Sequence, residues 1–178
     1  MKRFFIFLFI SLFLLSSCAG TGKNNAADTA AVTEDKAYID VEPKDVIDAV
    51  YKSVSDTPSF KDYKTMLEET NVTEQDELYY IGVNGIKYVS AVASEPAIQP
   101  STYSFVVIKL QKGVDYDGQR RLIEQNLNKA KWVCMSCEEA IAVRYENFVA
   151  VIMCDKQTVD ALEAAYLSVM EAYNNGSI

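Results

Sequence analysis

The stretch TYSFVVIKLQ at positions 102–111 decides the fold of this chain. Its β-branched and aromatic residues favour a strand, and apolar side chains fall on both of its alternating faces. A strand that is apolar on both faces lies in the middle of a sheet whose two sides are covered. The sequence therefore predicts a layered domain built around this central strand.

Two further pairs of β-rich segments flank the central strand and predict hairpins. ELYYIGV and IKYVSAVAS, within 77–94, are joined by an Asn-Gly pair, which is a hairpin-type turn. AIAVRYE and FVAVIMC, within 140–154, turn at Glu146 and Asn147. Because hairpin strands pair antiparallel, these segments predict a five-stranded, mostly antiparallel sheet.

Three segments have apolar residues at helical spacing and are predicted as helices. Capping residues or a proline in the first turn mark where they start. The element order αββ-β-αββα then predicts an α+β fold, in which about three helices pack on the sheet. Residues 62–71 are predicted as a weak helical turn or a loop. The helical ranges are 41–54, from Asp115 or Asp117 to about Ala130, and 156–174.

The first residues of the chain differ in character from the rest. MKR is a short basic segment, and FFIFLFISLFLL, residues 4–15, is apolar except for one serine. A helix of that length spans roughly 18 Å, short of the ~30 Å hydrocarbon core of a bilayer, which favours a signal peptide over a membrane span. The run ends in Leu15-Ser16-Ser17-Cys18, which resembles the lipobox of bacterial prolipoproteins.

The lipobox resemblance implies that residues 1–17 are removed as a signal peptide and that the Cys18 thiol receives a diacylglycerol. Long acyl chains such as palmitate bury enough apolar surface for a lasting membrane anchor. The resemblance implies a lipoprotein on the extracytoplasmic side of the cell membrane, and Ala19 leaves the outer membrane open in a diderm host. Residues 18–37 predict a flexible tether with a reach of roughly 25 Å, and 38–178 predict one globular domain.

Composition excludes several classes of function. The chain of 178 residues has no histidine, which removes Ser-His and Cys-His nucleophile pairs and histidine-bearing zinc sites. It has no glycine-rich phosphate loop, and its carboxylates form no recognisable catalytic pair. The sequence therefore predicts no catalytic residue, no metal ligand and no cofactor. Without residues 1–17 the net charge is about −10, which disfavours nucleic acid as a partner.

The stretch KWVCMSCEE, residues 131–139, contains Cys134 and Cys137, and Cys154 lies further along. A thiol-disulfide enzyme would use the first two, but the motif follows a predicted helix, and the two glutamates would raise the thiol pKa values. A disulfide between Cys137 and Cys154 and a zinc site completed by a carboxylate are further alternatives. We expect mainly buried thiols that act as small apolar side chains, with Trp132 and Cys134 in the core.

The chain is rich in tyrosine, with eleven against one tryptophan. Tyr79, Tyr80, Tyr88 and Tyr103 lie on predicted strands. If these four share an exposed sheet face, they would bind carbohydrate or peptide, because tyrosine offers contact area at low entropic cost. The alternative is that they are half-buried, with hydrated hydroxyl groups.

Four segments carry a family resemblance: YSFVVIKLQKGVD (103–115), KWVC (131–134), FVAVIM (148–153) and TVDALEAAY (158–166). They resemble an uncharacterised family of small bacterial surface lipoproteins, catalogued as domain of unknown function 4358. The resemblance covers most of residues 45–170, and Cys137 lies outside its Lys-Trp-aliphatic-Cys stretch. It implies the location and the fold, and it brings no reaction or ligand.

These features together predict a membrane-anchored, non-enzymatic extracytoplasmic domain that binds another envelope protein or a small ligand. One alternative is a thiol-disulfide redox protein that uses Cys134 and Cys137. Another is a mainly structural component of the cell envelope.

Overall fold

The structure is a computed structural model that describes residues 38–61, 63–98 and 101–178. The predicted signal peptide, the predicted lipidation site at Cys18 and the predicted tether lie outside these residues. Within the described ranges, no helix combines the length and the apolar character needed to cross a membrane.

The described residues form one five-stranded sheet in which all neighbouring strands pair antiparallel. This confirms the predicted α+β class and the five-stranded antiparallel sheet. The strands are β1 (Leu67–Asn71), β2 (Tyr88–Pro96), β3 (Ser104–Leu110), β4 (Glu139–Tyr145) and β5 (Phe148–Cys154). Their order across the sheet is β1-β2-β3-β5-β4.

Five helices accompany the sheet in the described part of the chain, and two of them are single turns. They are α1 (Pro43–Val54), α2 (Pro58–Lys61), α3 (Glu77–Tyr80), α4 (Tyr116–Gln125) and α5 (Lys156–Asn174). The three longer helices correspond to the three predicted ones. Asp115 caps α4, which stops before the predicted end at Ala130. The Asn126 side chain ends it by donating a hydrogen bond to the Leu122 carbonyl.

One predicted strand is wrong, and another segment takes its place in the sheet. Within ELYYIGV, residues Glu77–Tyr80 form the helical turn α3. The Asn-Gly pair still turns the chain, with Gly85 at a φ of +83°, but it joins α3 to β2. The replacement strand β1 has four exposed residues out of five. It therefore has no alternating apolar pattern, and its pairing with β2 defines it.

The prediction of a central, doubly covered strand is confirmed, because every residue of β3 is buried. The same holds for β5 beside it. Alternate residues of these strands enter two apolar cores on opposite sides of the sheet. Helices α1 and α5 cover one side, the α1–α5 face, while α4 and the segments around α3 and before β4 cover the other, the α4 face.

The described chain begins at the end of the sheet that carries the β4–β5 turn. This turn lies at Glu146 and Asn147, as predicted. The buried Asn147 side chain accepts a hydrogen bond from the Ile39 backbone N–H at 2.8 Å and donates one to its carbonyl at 3.1 Å. These contacts fix the entry of the chain at one end of the sheet. The opposite end, where β2 and β5 finish and β3 and β4 start, is here called the cleft end.

Candidate functional site

An irregular loop at the cleft end carries most of the residues that the sequence singles out. It runs from Lys129 to Cys137, between α4 and β4, and is called the cysteine loop below. Its ends are joined by a hydrogen bond of 2.9 Å from the Cys137 backbone N–H to the Lys129 carbonyl. An antiparallel bridge between Trp132 and Met135 narrows it further. The loop therefore has a defined shape without regular secondary structure.

The side chain of Lys131 points from this loop into the protein, where only 4% of it is exposed. Its ammonium nitrogen lies 2.5 Å from Glu95 Oε1, and the Glu95 side chain is 14% exposed. It also donates a hydrogen bond of 3.0 Å to the Ser104 hydroxyl. Glu95 lies near the end of β2 and Ser104 starts β3, so the sheet positions both partners of the buried cation.

Three aromatic rings complete the surroundings of the Lys131 ammonium. It lies 4.5 Å from the ring centre of Tyr79, 5.5 Å from Tyr80 and 5.1 Å from Trp132. The two tyrosine rings meet edge to face at 4.8 Å. The Tyr79 hydroxyl donates to Glu95 Oε2 at 3.1 Å. We call this arrangement the lysine box. It consists of the Lys131 ammonium and the groups around it: the carboxylate of Glu95, the hydroxyl of Ser104 and the rings of Tyr79, Tyr80 and Trp132.

Electrostatics in the lysine box are dominated by burial. Burial lowers the pKa of Lys131, and the charge and hydrogen bond of Glu95 only partly oppose this effect. Burial and the neighbouring Glu95 charge also raise the pKa of Tyr79 to about 12. The single carboxylate therefore compensates the desolvation of Lys131 incompletely.

The three cysteines of the described chain are free thiols. Cys134 is exposed, which contradicts its predicted place in the core, because it occupies the turn of the loop at a φ of +61°. Cys137 and Cys154 are buried as predicted, and Trp132 is 6% exposed. The suggested Cys137–Cys154 disulfide is not formed, and the two residues belong to cores on opposite faces of the sheet.

Burial also governs the chemistry of the two buried thiols. It raises the pKa of Cys137, and the nearby charges of Lys129 and Lys131 oppose this only in part. It raises the pKa of Cys154 strongly, with a further contribution from Asp155. Neither buried thiol is activated as a nucleophile.

The four tyrosines proposed as one binding surface are separated in the structure. Tyr79 and Tyr80 lie together in the lysine box, on α3 and not on a strand. Tyr88 is half-buried at the far end of β2, where it packs on the core of the α4 face. Tyr103 is fully buried on the α1–α5 face, where its hydroxyl donates to that of Tyr51 at 3.0 Å. Only the first two therefore belong to the site.

An open cleft of about 680 Å³ lies beside the cysteine loop. Two of the apolar side chains that line it are exposed, Ile98 to 71% and Met66 to 38%. Val133, which is 90% exposed, lies in the turn of the cysteine loop, two residues before the lining residue Met135. Isolated apolar residues are normal on a surface, but a group of them around a concave surface indicates an interaction site. The lining residues are Tyr63, Met66, Ile98, Ser101, Thr102, Met135 and Ser136.

The lysine box was not foreseen from the sequence. Trp132, Tyr79 and Tyr80 were singled out from the sequence, but nothing there placed them around Lys131. Glu95 and Ser104 are 36 and 27 residues away from Lys131 in the chain and meet it only after the sheet forms. Among the described residues, no group of three or more Cys, Asp or Glu side chains could hold a metal ion.

Comparison with known proteins gave no relative to which this site could be matched. No family model, no curated protein and no solved structure matches the chain.

Proposed function

We propose that the chain is a lipid-anchored lipoprotein on the extracytoplasmic side of the cell membrane, where its domain binds another envelope protein without catalysing a reaction. The anchor rests on the Leu-Ser-Ser-Cys motif that ends at Cys18, after a basic segment and a short apolar run. The segments that resemble domain of unknown function 4358 support the same location. In a diderm host the anchor can lie in the outer membrane.

The observation that carries the binding function is the group of exposed apolar side chains around the cleft. Val133 and Ile98 expose most of their surface to water at the same end of the sheet. The cleft is open and not enclosed, whereas sites for small ligands usually bury most of the ligand. We therefore assign the cleft to a protein partner that contributes apolar side chains.

The attachment of the chain supports a partner that approaches from the side away from the tether. Tyr38 and Ile39 are held at the β4–β5 turn by hydrogen bonds to Leu110 and Asn147. The cleft lies at the other end of strands that extend for about seven residues, or roughly 23 Å. The cleft end would then face away from the point at which the tether enters the domain.

A photo-crosslinking amino acid at position 133 tests the binding function in membranes of the native host. Val89 is a matched control, because it is 58% exposed but lies at the other end of β2. We expect a discrete protein adduct from position 133 and none from position 89. Adducts that are the same from both positions, or adducts to a small molecule only, would contradict the proposal.

Substitution of Cys18 tests the anchor independently. Cys18→Ala should abolish incorporation of labelled palmitate and leave the precursor uncleaved, because both steps need the cysteine thiol. Unchanged labelling of this variant would place the lipid elsewhere and remove the basis for the anchor.

One observation favours the alternative of a thiol-disulfide protein. The exposed Cys134 lies in the same loop as Cys137, so Cys134 would attack and Cys137 would resolve. The burial and raised pKa of Cys137 oppose this role. Equilibration in glutathione buffers followed by mass spectrometry decides the matter, because the alternative requires a reversible Cys134–Cys137 disulfide.

A further inference from the structure

In the conformation that the structure shows, the cysteine loop has three energetically unfavourable features. Lys131 is a buried cation that forms an ion pair with one carboxylate of the described residues, Glu95. The indole N–H of Trp132 is buried and has no hydrogen-bond partner among the described residues. Cys134 has a φ of +61°, a left-handed conformation that side chains with a Cβ disfavour. Such features persist mainly at functional sites, and they lower the free energy needed to open the loop locally.

The lysine box beneath this loop has the chemistry of an ammonium site. Its carboxylate and hydroxyl accept two N–H donors from one nitrogen, and its three rings present their faces to the cation. Tyr79 forms its outer wall and is 42% exposed, so the box lies just below the surface. Because two N–H bonds are made, the box favours a primary over a quaternary ammonium group.

We propose that the lysine box is a binding site for a primary alkylammonium group, that Lys131 is its resident occupant, and that an external amine competes with Lys131 by displacing the cysteine loop. Trp132 moves with the loop, and Glu95, Ser104 and the two tyrosine rings of α3 remain to hold the external amine. A small free amine and a lysine side chain of another polypeptide share this chemistry. The site goes beyond the proposed function, since it holds whether or not the cleft binds a protein. The two are linked through Met135, which lies in the loop and lines the cleft.

The first experiment vacates the box. Lys131→Ala removes the resident ammonium, and the single tryptophan of the chain reports binding through its indole N–H resonance. We expect n-butylammonium to bind this variant at least about tenfold more tightly than the wild type, as expected when a resident competitor is removed. Tetramethylammonium should bind more weakly than n-butylammonium, and Lys131→Ala combined with Glu95→Gln should bind neither.

Equal affinities of wild type and Lys131→Ala for n-butylammonium would overturn the proposal, and so would binding that does not depend on Glu95. An Nα-acetyllysinamide titration distinguishes the two sources of the ammonium. Affinity equal to that of n-butylammonium assigns the site to a lysine side chain, and about tenfold weaker binding assigns it to a free amine.

The second experiment uses the wild-type chain and does not depend on the folding of a variant. Displacement of the loop should expose Cys137, while Cys154 on the opposite face stays protected. We expect n-butylammonium to raise the rate of Cys137 alkylation several-fold over tetramethylammonium at equal ionic strength. An unchanged Cys137 rate would overturn the competition. Failure of crosslinking at Val133 would leave this result untouched and would count only against the protein partner.

Discussion

In the described part of the chain, one lysine side chain is buried on each side of the sheet, and the two have opposite surroundings. Lys109 on the α1–α5 face and Lys131 on the α4 face each expose only 4% of the side chain. Lys109 lies 2.7 Å from Asp40 and 3.4 Å from Glu42, whose side chains are 84% and 65% exposed. Lys131 has one carboxylate, which is itself mostly buried.

The two lysines also differ in the direction of their pKa shifts. Burial acts to lower the pKa of Lys109, but its hydrogen bond to Asp40 and the charges of Glu42 and Asp40 outweigh this, so the pKa is raised. For Lys131 burial outweighs Glu95, and the pKa is lowered. The two pKa values therefore shift in opposite directions: two carboxylates compensate the charge of Lys109 at the entry of the chain, whereas the charge of Lys131 is compensated incompletely, as is typical of functional sites.

The largest expected effect comes from removing the carboxylate partner of Lys131. Glu95→Ala should lower the free energy of unfolding by about 3 kcal/mol, because it leaves a buried charge without compensation. Asp40→Ala is the matched control on the other face, and its loss should be much smaller, since Glu42 remains and Asp40 is exposed. Urea unfolding measures both variants. Equal losses would show that the two lysines are held alike.

A smaller effect is expected when both partners of the buried pair are replaced. The double variant Lys131→Met with Glu95→Gln should have a free energy of unfolding within about 1 kcal/mol of the wild-type value, because no uncompensated charge remains. Lys131→Met alone should be less stable than the double variant. If the double variant is as unstable as Glu95→Ala, the uncompensated charge of Lys131 is not what destabilises the Glu95→Ala variant.

The smallest expected effect is a dependence on pH. The folded pKa of Lys131 lies below the unfolded value of 10.5, so the unfolded state holds more protons in that interval. The stability of the wild type relative to Lys131→Met should therefore rise as the pH increases toward 10.5. For Lys109 the folded pKa lies above 10.5, so its stabilisation is present below that pH and is lost above it. The stability advantage of the wild type over Lys131→Met, measured from urea unfolding, should rise with pH below 10.5, whereas its advantage over Lys109→Met should fall with pH above 10.5.

Those parts of the fold that depend on burial could be predicted from the sequence. β3 and β5 are buried on both faces, and their apolar runs define them without ambiguity. β1 is an exposed edge strand, so pairing and not composition decides its structure. Tyr79 and Tyr80 suggested a strand because tyrosine favours one, but contacts made by this four-residue segment set a helical turn.

The candidate site could be predicted only where its signal is local. Trp132 was expected in the core and is buried. Cys134 was expected there too, but the loop turns at this residue and buries Cys137 in its place. The ion pair between Lys131 and Glu95 joins distant parts of the chain, and no local pattern records such a contact.

The most direct test of the contrast between the two faces is the alkylation of Cys137 and Cys154 in the wild type as urea is raised below the unfolding transition. Peptide mass spectrometry resolves each thiol. If the cysteine loop opens locally, Cys137 reacts at a rate nearly independent of urea, whereas the Cys154 rate rises steeply because it needs global unfolding. Equal rates with the same urea dependence would contradict the account, because the loop would then open only with the whole domain.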